Sequence, residues 1–522
     1  MQSPLSLIDW IIIGIYIMLA LGGGVVLSRR KTSNMEDYFL GGRQMSLWAV
    51  MLSVLATTQS AATFLGGPDY GYRGDFTYLA SYIGAIMAAL FVAHFLMTRF
   101  YSLNVTTVYE LLALRYGVGA KRAAGAMYLI GRVFANGARL YLAAVAVSMM
   151  LFFDVAPGSV FFGIFLIVSI GVAMTLSGGI RSVIWSDLGQ FLVYFFAAVL
   201  ALASLWGQLN MSPSEVAAAL AAAPTEQSKL TILDFRMDLG EPFTVWAIIT
   251  GVFLLYLGNY GLDQDTTQRL LTCRNVKESR RALVWSSLAA APIVFVFILI
   301  GQLLYLFYNR PELTGLGQDG NFIDQFDGEK ITVFMSYILS EMPSGVRGLV
   351  TAGVLAAAIS TITSGLNAMS SVLVSDFYKP WKEGRSKQTP SAAHYVIAGR
   401  FGMAIFAVLL AFMAVLCFYW QRYTNMALLE FALSVMTFAY AGLIGVYFVA
   451  VFSRRGSALS IYFALLSGFV VILIQQSYVV DSLGFPESFK MLAFPWQLII
   501  GVAASAFICA LGKQAQEKVR VA

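Results

Sequence analysis

The chain has 522 residues, of which 59% are hydrophobic and only 12% are charged, and its mean hydropathy is +0.74. A soluble protein of this length would be about one-quarter charged. The composition therefore excludes a soluble protein and predicts an integral membrane protein. The formal net charge of +6 needs no nucleic-acid partner, because the positions of the basic residues explain it. The three cysteines and two histidines are too scattered to hold a metal or haem cofactor.

Apolar runs of about 20 residues, the length that crosses a bilayer, recur along the whole chain. We predict an all-α membrane protein that forms one domain over residues 1–522, with about thirteen transmembrane helices. The predicted spans are 7–28, 46–67, 77–98, 124–152, 158–178, 183–207, 243–262, 283–307, 346–374, 395–418, 426–452, 457–477 and 493–511.

The basic residues predict the orientation of these spans. Of the 34 Lys and Arg residues, 24, including Arg269, fall in loops on one side of the membrane, and eight fall in loops on the other side. We predict that the protein lies in the cell (inner) membrane. Because cytoplasmic loops are enriched in Lys and Arg, the N-terminus is predicted to lie outside the cell and the C-terminus in the cytoplasm. The remaining two, Arg132 and Arg139, lie within span 4.

Span 2 carries the polar run Ala56–Thr63 followed by Gly66, Gly67 and Pro68, and span 7 carries Gly258–Gly261 before Asp263. Both are predicted to be interrupted helices. Spans 2–6 and 7–11 form two sets of five, and because five is odd the second set runs in the opposite sense. Paired interrupted helices in an inverted repeat indicate a transporter site. We predict repeats at 46–207 and 243–452, with C-terminal helices at 453–511.

Small polar residues in spans 2 and 9 predict a cation site. Ala357, Ser360 and Thr361 share one helical face, as do Ala56 and Gln59. Carbonyls of Ala56, Gln59 and Ala357, with the hydroxyls of Ser360 and Thr361, would supply five oxygens to a small hard cation such as sodium. The alternative is that the hydroxyls bond back to carbonyls of the preceding turn.

Acidic residues near the spans offer further ligands. Asp187, near the inner end of span 6, would complete a second ion site with Thr363 and Ser364, or would be a carboxylate at a helix N-terminus. Glu430, in span 11, is a candidate for binding substrate or a proton. Coupling to protons through Asp187 or Glu430 stays open.

Arg132 and Arg139 lie two turns apart on one face of span 4. A buried arginine requires an anion. A substrate carboxylate is one candidate because the guanidinium forms a bidentate fork, and a fixed pair with an acid such as Glu430 is the other. A further alternative is that the side chain of Arg132 extends along the helix toward the cytoplasmic surface.

Aromatic residues and two long outer loops complete the candidate features. Phe76, Tyr78, Tyr82 and Tyr260, together with Asn259, are predicted to shape a substrate pocket, or else they belong to the packing. Residues 208–242 contain a helix candidate at 213–222. Residues 308–345 contain an acidic stretch and an amphipathic run at 331–338. Either loop is an outer lid or an ordinary connection.

Together these motifs resemble the sodium:solute symporter family over residues 7–511. Asp263–Arg269 and the continuation Lys277–Ala282 are similar to the signature after the seventh helix of that family. The supporting motifs are Asp37–Arg43, Gly137–Leu140, Gly178–Ile180, Trp185–Asp187 and residues 356–367.

The resemblance implies a LeuT-like core of five plus five helices and alternating access driven by one or two sodium ions. It implies a main sodium site of Ala56, Gln59, Ala357, Ser360 and Thr361, and a second site of Asp187, Thr363 and Ser364. It also implies substrate contacts from the broken helix and from an arginine in Gly131–Val133, as in the sialic acid branch. Those broken-helix positions are Thr58, Ser60, Ala61 and Thr63.

We therefore predict a sodium-coupled symporter, not an enzyme, that imports a small polar organic solute and functions as a monomer. A carboxylate-bearing solute such as a sialic acid is favoured. A sugar, amino acid or vitamin is the alternative within the family. A solute sensor is a further class, although the tail after Gly512 is too short for a kinase.

Overall fold

The computed structural model describes residues 5–28, 34–176, 179–225, 227–310, 313, 325–326, 329–385, 390–421, 428–484, 486 and 492–513. Gly178, most of the acidic stretch after residue 310 and nine of the basic residues used for the orientation lie outside these ranges or have undescribed side chains. The fold is almost entirely helical, and the described strands, β1 (Gln325–Phe326) and β2 (Glu329–Lys330), form one short antiparallel pair.

The helices of the first half follow the predicted order. They are α1 (Leu7–Ser28), α2 (Met35–Leu40), α3 (Leu47–Thr58), α4 (Ala61–Arg73), α5 (Thr77–Ser102), α6 (Glu110–Tyr116), α7 (Val118–Phe152), α8 (Pro157–Thr175), α9 (Gly179–Leu209) and α10 (Pro213–Ala221).

The second half continues in the same way. Its helices are α11 (Val245–Leu262), α12 (Gln264–Leu270), α13 (Val276–Asn309), α14 (Val333–Ser340), α15 (Val346–Glu383), α16 (Ala392–Trp420), α17 (Leu428–Phe452), α18 (Ala458–Ile474), α19 (Ser477–Leu483) and α20 (Phe494–Ala510). The helix candidate in the first outer loop is therefore confirmed as α10, and the amphipathic run in the second outer loop overlaps α14.

Every predicted span coincides with a helix, but they are not thirteen equal spans. Nine of the described helices are long and apolar enough to cross a membrane, and two bent helix pairs raise the number to eleven. The bent pairs are α3 with α4 and α18 with α19. The first and last predicted spans correspond to shorter apolar helices, Leu7–Gly23 and Phe494–Ala510.

The helices differ strongly in how much of their apolar surface the protein itself covers. The most apolar segment of α15 is 94% buried and that of α7 is 89% buried, whereas the value for α9 is 39%. Helix α15 packs against α7, α8 and α9 and contacts both α3 and α4. The Ser- and Thr-rich helix is therefore the centre of the bundle, and its polar residues face other helices instead of lipid.

The first interruption lies where the polar run predicted it. Helix α3 ends at Thr58, Gln59 and Ser60 are extended, and α4 begins at Ala61 with its axis bent by 59°. Polar side chains compete for backbone hydrogen bonds. Thr58 does so here, since its hydroxyl donates to the carbonyl of Leu55 at 2.9 Å. The confirmed break leaves the carbonyls of the last turn of α3 outside the helical ladder.

The second interruption is shorter than predicted and lies later. Residues Gly258–Leu262 continue α11 as a π-helical turn, and only Asp263 is extended before α12 begins. The Asp263 carboxylate accepts a hydrogen bond from the amide of Asp265 at 3.0 Å. It thereby caps α12. The break is therefore made by the capping acid and not by the glycines before it.

Candidate functional site

The residues predicted for the main cation site lie on two elements that touch. Ala56 and Gln59 flank the break between α3 and α4, and Ala357, Ser360 and Thr361 lie on α15, which contacts both halves of the broken helix. All five residues are buried. The break turns backbone carbonyls of Ala56 and Gln59 into available acceptors, as a cation site requires.

The hydroxyls of α15 have different partners. Thr361 donates to the carbonyl of Ala357 at 3.0 Å, and Thr363 donates to the carbonyl of Ser360 at 3.0 Å. Ser360 instead donates to Oδ1 of Asp187 at 2.8 Å. The hydroxyls of the two threonines therefore bond back to carbonyls of their own helix, whereas the hydroxyl of Ser360 bonds to another helix. A hydroxyl that donates keeps its lone pairs as acceptors, so the threonines retain the capacity to bind a cation.

Asp187 is a fully buried carboxylate in a polar network. Its Oδ2 accepts from the hydroxyl of Ser53 at 2.6 Å and from Nη2 of Arg269 at 3.0 Å. Asp187 lies more than two turns after Gly179, where α9 begins. The effect of a helix dipole is confined to the first turn, so the N-terminal interpretation of Asp187 is wrong.

The predicted second cation site is therefore joined by an arginine. Nη2 of Arg269 also donates to the hydroxyl of Ser364. The sequence analysis counted Arg269 among the basic residues of cytoplasmic loops, and this is corrected, because its side chain is fully buried. Thr363 contacts this group only through the carbonyl of Ser360.

Arg132 is held by acids of the protein itself. Its Nη1 lies 2.7 Å from Oδ2 of Asp263, and its Nη2 donates to Asp265. Oδ2 of Asp263 also accepts from the hydroxyl of Tyr440 at 2.6 Å. Both terminal nitrogens of Arg132 are therefore occupied. Of the two alternatives for Arg132, this structure contains the fixed ion pair, and its acids are Asp263 and Asp265 instead of Glu430.

Arg139 differs from Arg132 although both lie on α7. Its side chain is buried, and Nη2 lies 3.2 Å from the sulfur of Met436. Among the described residues no carboxylate lies within ion-pair distance of Arg139. A buried guanidinium without an anion is costly, and Arg139 differs from Arg132 in having no acidic ion-pair partner among the described residues.

Arg139 points into a small central cavity beside the helix break, with a volume of about 40 Å³. Among the described residues, eight predicted substrate contacts line this cavity: Thr58, Ser60, Thr63, Tyr78, Tyr82, Arg139, Asn259 and Tyr260. Ala61 and Arg132 do not line it. Phe76 stacks on Phe295 with ring centroids 5.7 Å apart and belongs to the packing.

Part of the cavity wall was not predicted from the sequence. Tyr256 lies one helical turn before Tyr260, and their ring centroids are 5.6 Å apart. This i, i+4 spacing was a usable signal. The far wall is apolar and has no signal that separates it from ordinary packing. The apolar lining residues are Ala62, Leu255, Leu429, Ala432, Leu433 and Met436.

A larger cavity of about 490 Å³ shares Leu429 with the central one. Glu430, the end of α4 and several loop residues line it, and the described loop residues are Thr225, Gln227, Lys229, Asp234, Arg236, Glu241, Pro242, Phe243 and Thr244. Glu430 therefore faces this outer cavity and forms no ion pair with Arg139 among the described contacts.

Lys229 joins the loop of the outer cavity to the broken helix. Its Nζ donates to the carbonyls of Tyr72 at 2.6 Å and Gly74 at 2.8 Å, and it lies 4.1 Å from the ring centroid of Tyr305. Burial lowers the pKa of Lys229 to about 8, and Asp75 opposes this shift. Burial likewise raises the pKa of Asp75. A loop lysine thus caps the C-terminus of α4.

These features define a class of protein. An apolar helical bundle with an interrupted helix, buried hydroxyls and an arginine around a polar central cavity has the architecture of a secondary transporter. Backbone carbonyls freed at the break serve ion binding in such proteins.

Comparison with known proteins identifies the family. Residues 38–468 match the sodium:solute symporter family, and the chain belongs to it. The sodium/sialic acid symporter NanT of Aliivibrio fischeri is 30% identical over 377 residues, which are 71% of this chain and 70% of that protein. Human sodium-coupled monocarboxylate transporter 2 is 29% identical over 378 residues, which are 71% of this chain and 58% of that protein.

Solved structures show the same fold. The substrate-bound outward-open state of a Na⁺-coupled sialic acid symporter matches with a TM-score of 0.79 and 25% identity, covering 98% of this chain and 99% of that one. Mhp1, a nucleobase-cation-symport-1 family transporter, matches with a TM-score of 0.54 and 14% identity, covering 92% and 96%. The LeuT-like fold and the assignment as a multi-pass membrane transporter, not an enzyme, are thereby confirmed.

Proposed function

We propose that this protein imports a small organic anion that carries a carboxylate, driven by one or two sodium ions, by alternating access. The observation that carries this proposal is Arg139. It is buried in the central cavity without an acidic partner among the described residues, whereas Arg132, two turns away, is neutralised by Asp263 and Asp265. A carboxylate that enters the cavity would supply the missing anion as a charge-assisted, bidentate pair.

The relatives support this solute class. Both sialic acids and monocarboxylates, named in the matching transporters, carry a carboxylate, and Arg139 fits this shared group. The hydroxyls of Thr58, Ser60 and Thr63 line the same cavity and are suited to hydrogen bonds with the rest of a polar solute. At about 40 Å³, the cavity has room for only a few water molecules, so solute binding requires the walls to separate.

Sodium is proposed to bind at Ala56, Gln59, Ala357, Ser360 and Thr361, with Asp187, Thr363 and Ser364 as the second site. Each sodium that enters releases roughly 2.3 kcal/mol per 100 mV of membrane potential. A tenfold sodium gradient adds about 1.4 kcal/mol. Entry of a monovalent anion costs the same 2.3 kcal/mol per 100 mV, so one sodium ion supports about tenfold accumulation of the solute and two sodium ions support roughly several thousandfold accumulation. The orientation, with the N-terminus outside the inner membrane, and a functional monomer are part of the proposal.

A binding screen with matched solutes tests it. Purified protein is melted with N-acetylneuraminate, its methyl ester, the neutral sugar N-acetylmannosamine, lactate, glucose and proline, each in NaCl and in choline chloride. The proposal expects stabilisation by a carboxylate solute in sodium alone, and none by the methyl ester. Uptake of the best solute into proteoliposomes then tests transport. Equal stabilisation by neutral and acidic solutes would refute the carboxylate assignment.

A further inference from the structure

Arg269 occupies residues that are proposed ligands of the second sodium. Its Nη2 lies 3.0 Å from Oδ2 of Asp187 and donates to the hydroxyl of Ser364, while Nε lies 2.9 Å from the hydroxyl of Ser53. The side chains of Arg269 and Asp187 are fully buried. A guanidinium thus lies where the proposed function places a metal cation.

The same guanidinium is anchored on its other side. Nη1 of Arg269 lies 2.7 Å from the carbonyl oxygen of Asp265 and 2.7 Å from its carboxylate Oδ1. Asp265 lies one helical turn before Arg269 on α12, whereas Asp187 belongs to α9. Arg269 therefore has one set of bonds within its own helix and a second set that reaches across to the proposed ion ligands.

The charges of this buried network are unequal. Among the described residues the network contains two guanidinium groups, Arg132 and Arg269, and three carboxylates, Asp187, Asp263 and Asp265. With all three carboxylates ionised, the network has one negative charge in excess. Arg139, a third buried guanidinium, also attracts Asp263 and Asp265. Among the described residues Arg269 is therefore the ion-pair partner of Asp187, and leaving this carboxylate unpaired would be costly.

We propose that Arg269 is a tethered cation that competes with sodium for Asp187 and Ser364. This inference rests on the proposed sodium-coupled function. When sodium binds, Arg269 releases Asp187 and Ser364 but keeps its bonds to Asp265. When sodium leaves, the guanidinium returns and shields the Asp187 carboxylate. The empty carrier then changes conformation without a bare buried charge.

The competition predicts opposite effects of two substitutions. Arg269→Gln removes the competitor, so sodium affinity rises about tenfold, within the usual range of coupling between sites. Asp265→Asn weakens the tether on the other side, so Arg269 binds Asp187 more strongly and sodium affinity falls. A merely structural role for Arg269 would weaken sodium binding in both variants. Affinity is measured by sodium-dependent melting of purified protein, with choline replacing sodium.

Transport modes give an independent measurement. In Arg269→Gln the loaded carrier is intact, so exchange of labelled solute with sodium on both sides continues. Net uptake falls about tenfold relative to exchange, because the empty carrier must return with Asp187 unshielded. The double variant Arg269→Gln/Asp187→Asn carries no such charge, so the ratio of net uptake to exchange returns toward that of the wild type.

Two further variants keep the test interpretable. Arg269→Lys retains the charge and fewer hydrogen bonds, and it is expected to give an intermediate sodium affinity. Arg115→Gln is the matched control. Arg115 donates to the carbonyls of Ala450 and Ser453 and lies 5.2 Å from the ring centroid of Tyr116, and none of these groups belongs to the proposed sodium sites, so its substitution leaves sodium affinity unchanged.

The outcomes separate the two proposals. Absence of any sodium effect in the wild type would refute the proposed function. A normal wild type in which Arg269→Gln and Asp265→Asn both weaken sodium binding would refute the competition alone. If Arg269→Gln does not fold, Asp265→Asn and Arg269→Lys still test the competition. An unchanged or higher sodium affinity in Asp265→Asn would contradict it.

Discussion

The hydroxyl of Ser360 lies 2.8 Å from Oδ1 of Asp187, and this hydrogen bond connects the two residue sets proposed for sodium. Ser360 belongs to the first set and Asp187 to the second. Because residues in one hydrogen-bond network couple energetically, substitutions in either set will not act independently. Binding at the two sites is therefore expected to be cooperative.

Ser360→Ala and Thr361→Ala are expected to raise the sodium concentration that gives half-maximal uptake. Each removes one oxygen from the proposed site, and a hydrogen bond of about 0.5–1.5 kcal/mol corresponds to a roughly two- to tenfold effect. Ser370→Ala on the same helix is the control, because its hydroxyl donates to the carbonyl of Gly399 instead. Unchanged sodium dependence in both test variants would remove the site assignment.

Arg139→Gln is expected to weaken binding of a carboxylate solute by about ten- to a hundredfold, as for loss of a charged hydrogen bond of 1.5–3 kcal/mol. The binding affinity for neutral solutes should fall much less. Arg139→Lys keeps the positive charge but lacks the planar guanidinium, so its affinity for a carboxylate solute should lie between those of the wild type and Arg139→Gln. Solute titrations monitored by tryptophan fluorescence measure these affinities. Equal losses for neutral and acidic solutes would show that Arg139 supports the packing only.

Arg132→Met is expected to destabilise the protein by about 3–5 kcal/mol, because it leaves Asp263 and Asp265 buried with fewer partners. The melting temperature in detergent should fall strongly, and Asp265→Asn in the same chain should recover part of the loss. A stable Arg132→Met protein that has lost its solute affinity would instead support the substrate role that the ion pairs argue against.

Gly301→Ala tests the contact between α13 and the outer half of the broken helix. A Cβ at this position would lie 2.0 Å from the carbonyl oxygen of Pro68. We expect a loss of about 1–3 kcal/mol from overpacking, measured by thermal melting, with reduced uptake. Gly207→Ala is the matched control, since a Cβ there meets nothing within 4 Å, and a helical alanine gains about 0.5–1 kcal/mol.

Lys229 predicts a pH dependence of stability. Its pKa is lowered by burial from the ordinary 10.5 to about 8, so between these values the unfolded chain binds the proton and the folded chain does not. The contribution of Lys229 to the free energy of unfolding therefore rises with pH in this window and is constant below it. Lys229→Met should lose this rise in pH-dependent melting. The exposed Lys277→Met should keep it.

Local sequence was sufficient for the features that depend on short-range chemistry. The polar run in span 2 predicted the break at Gln59 and Ser60, because small polar residues cannot be explained as lipid contacts. Hydrophobic length predicted the order of the helices. The family resemblance implied the lining residues Thr58, Ser60 and Thr63, and Asn259 was a candidate from the sequence itself.

Long-range partners were not predictable in the same way. Arg132 and its acids are separated by more than 130 residues, so the sequence left a substrate carboxylate and a fixed acid as equal alternatives. Arg269 looked like a loop residue because burial depends on the helices that surround it. The apolar wall at Leu433 and Met436 resembles any other packed helix face.

The outer cavity has a consequence for the order of arrival. Its described lining contains the acids Asp69, Asp75, Asp234, Glu241 and Glu430 and the bases Arg73, Lys229 and Arg236. When all these groups are charged, the acids outnumber the bases, so the outer cavity attracts cations and repels anions at low ionic strength. A negatively charged solute would enter more readily after an alkali ion has partly cancelled that field.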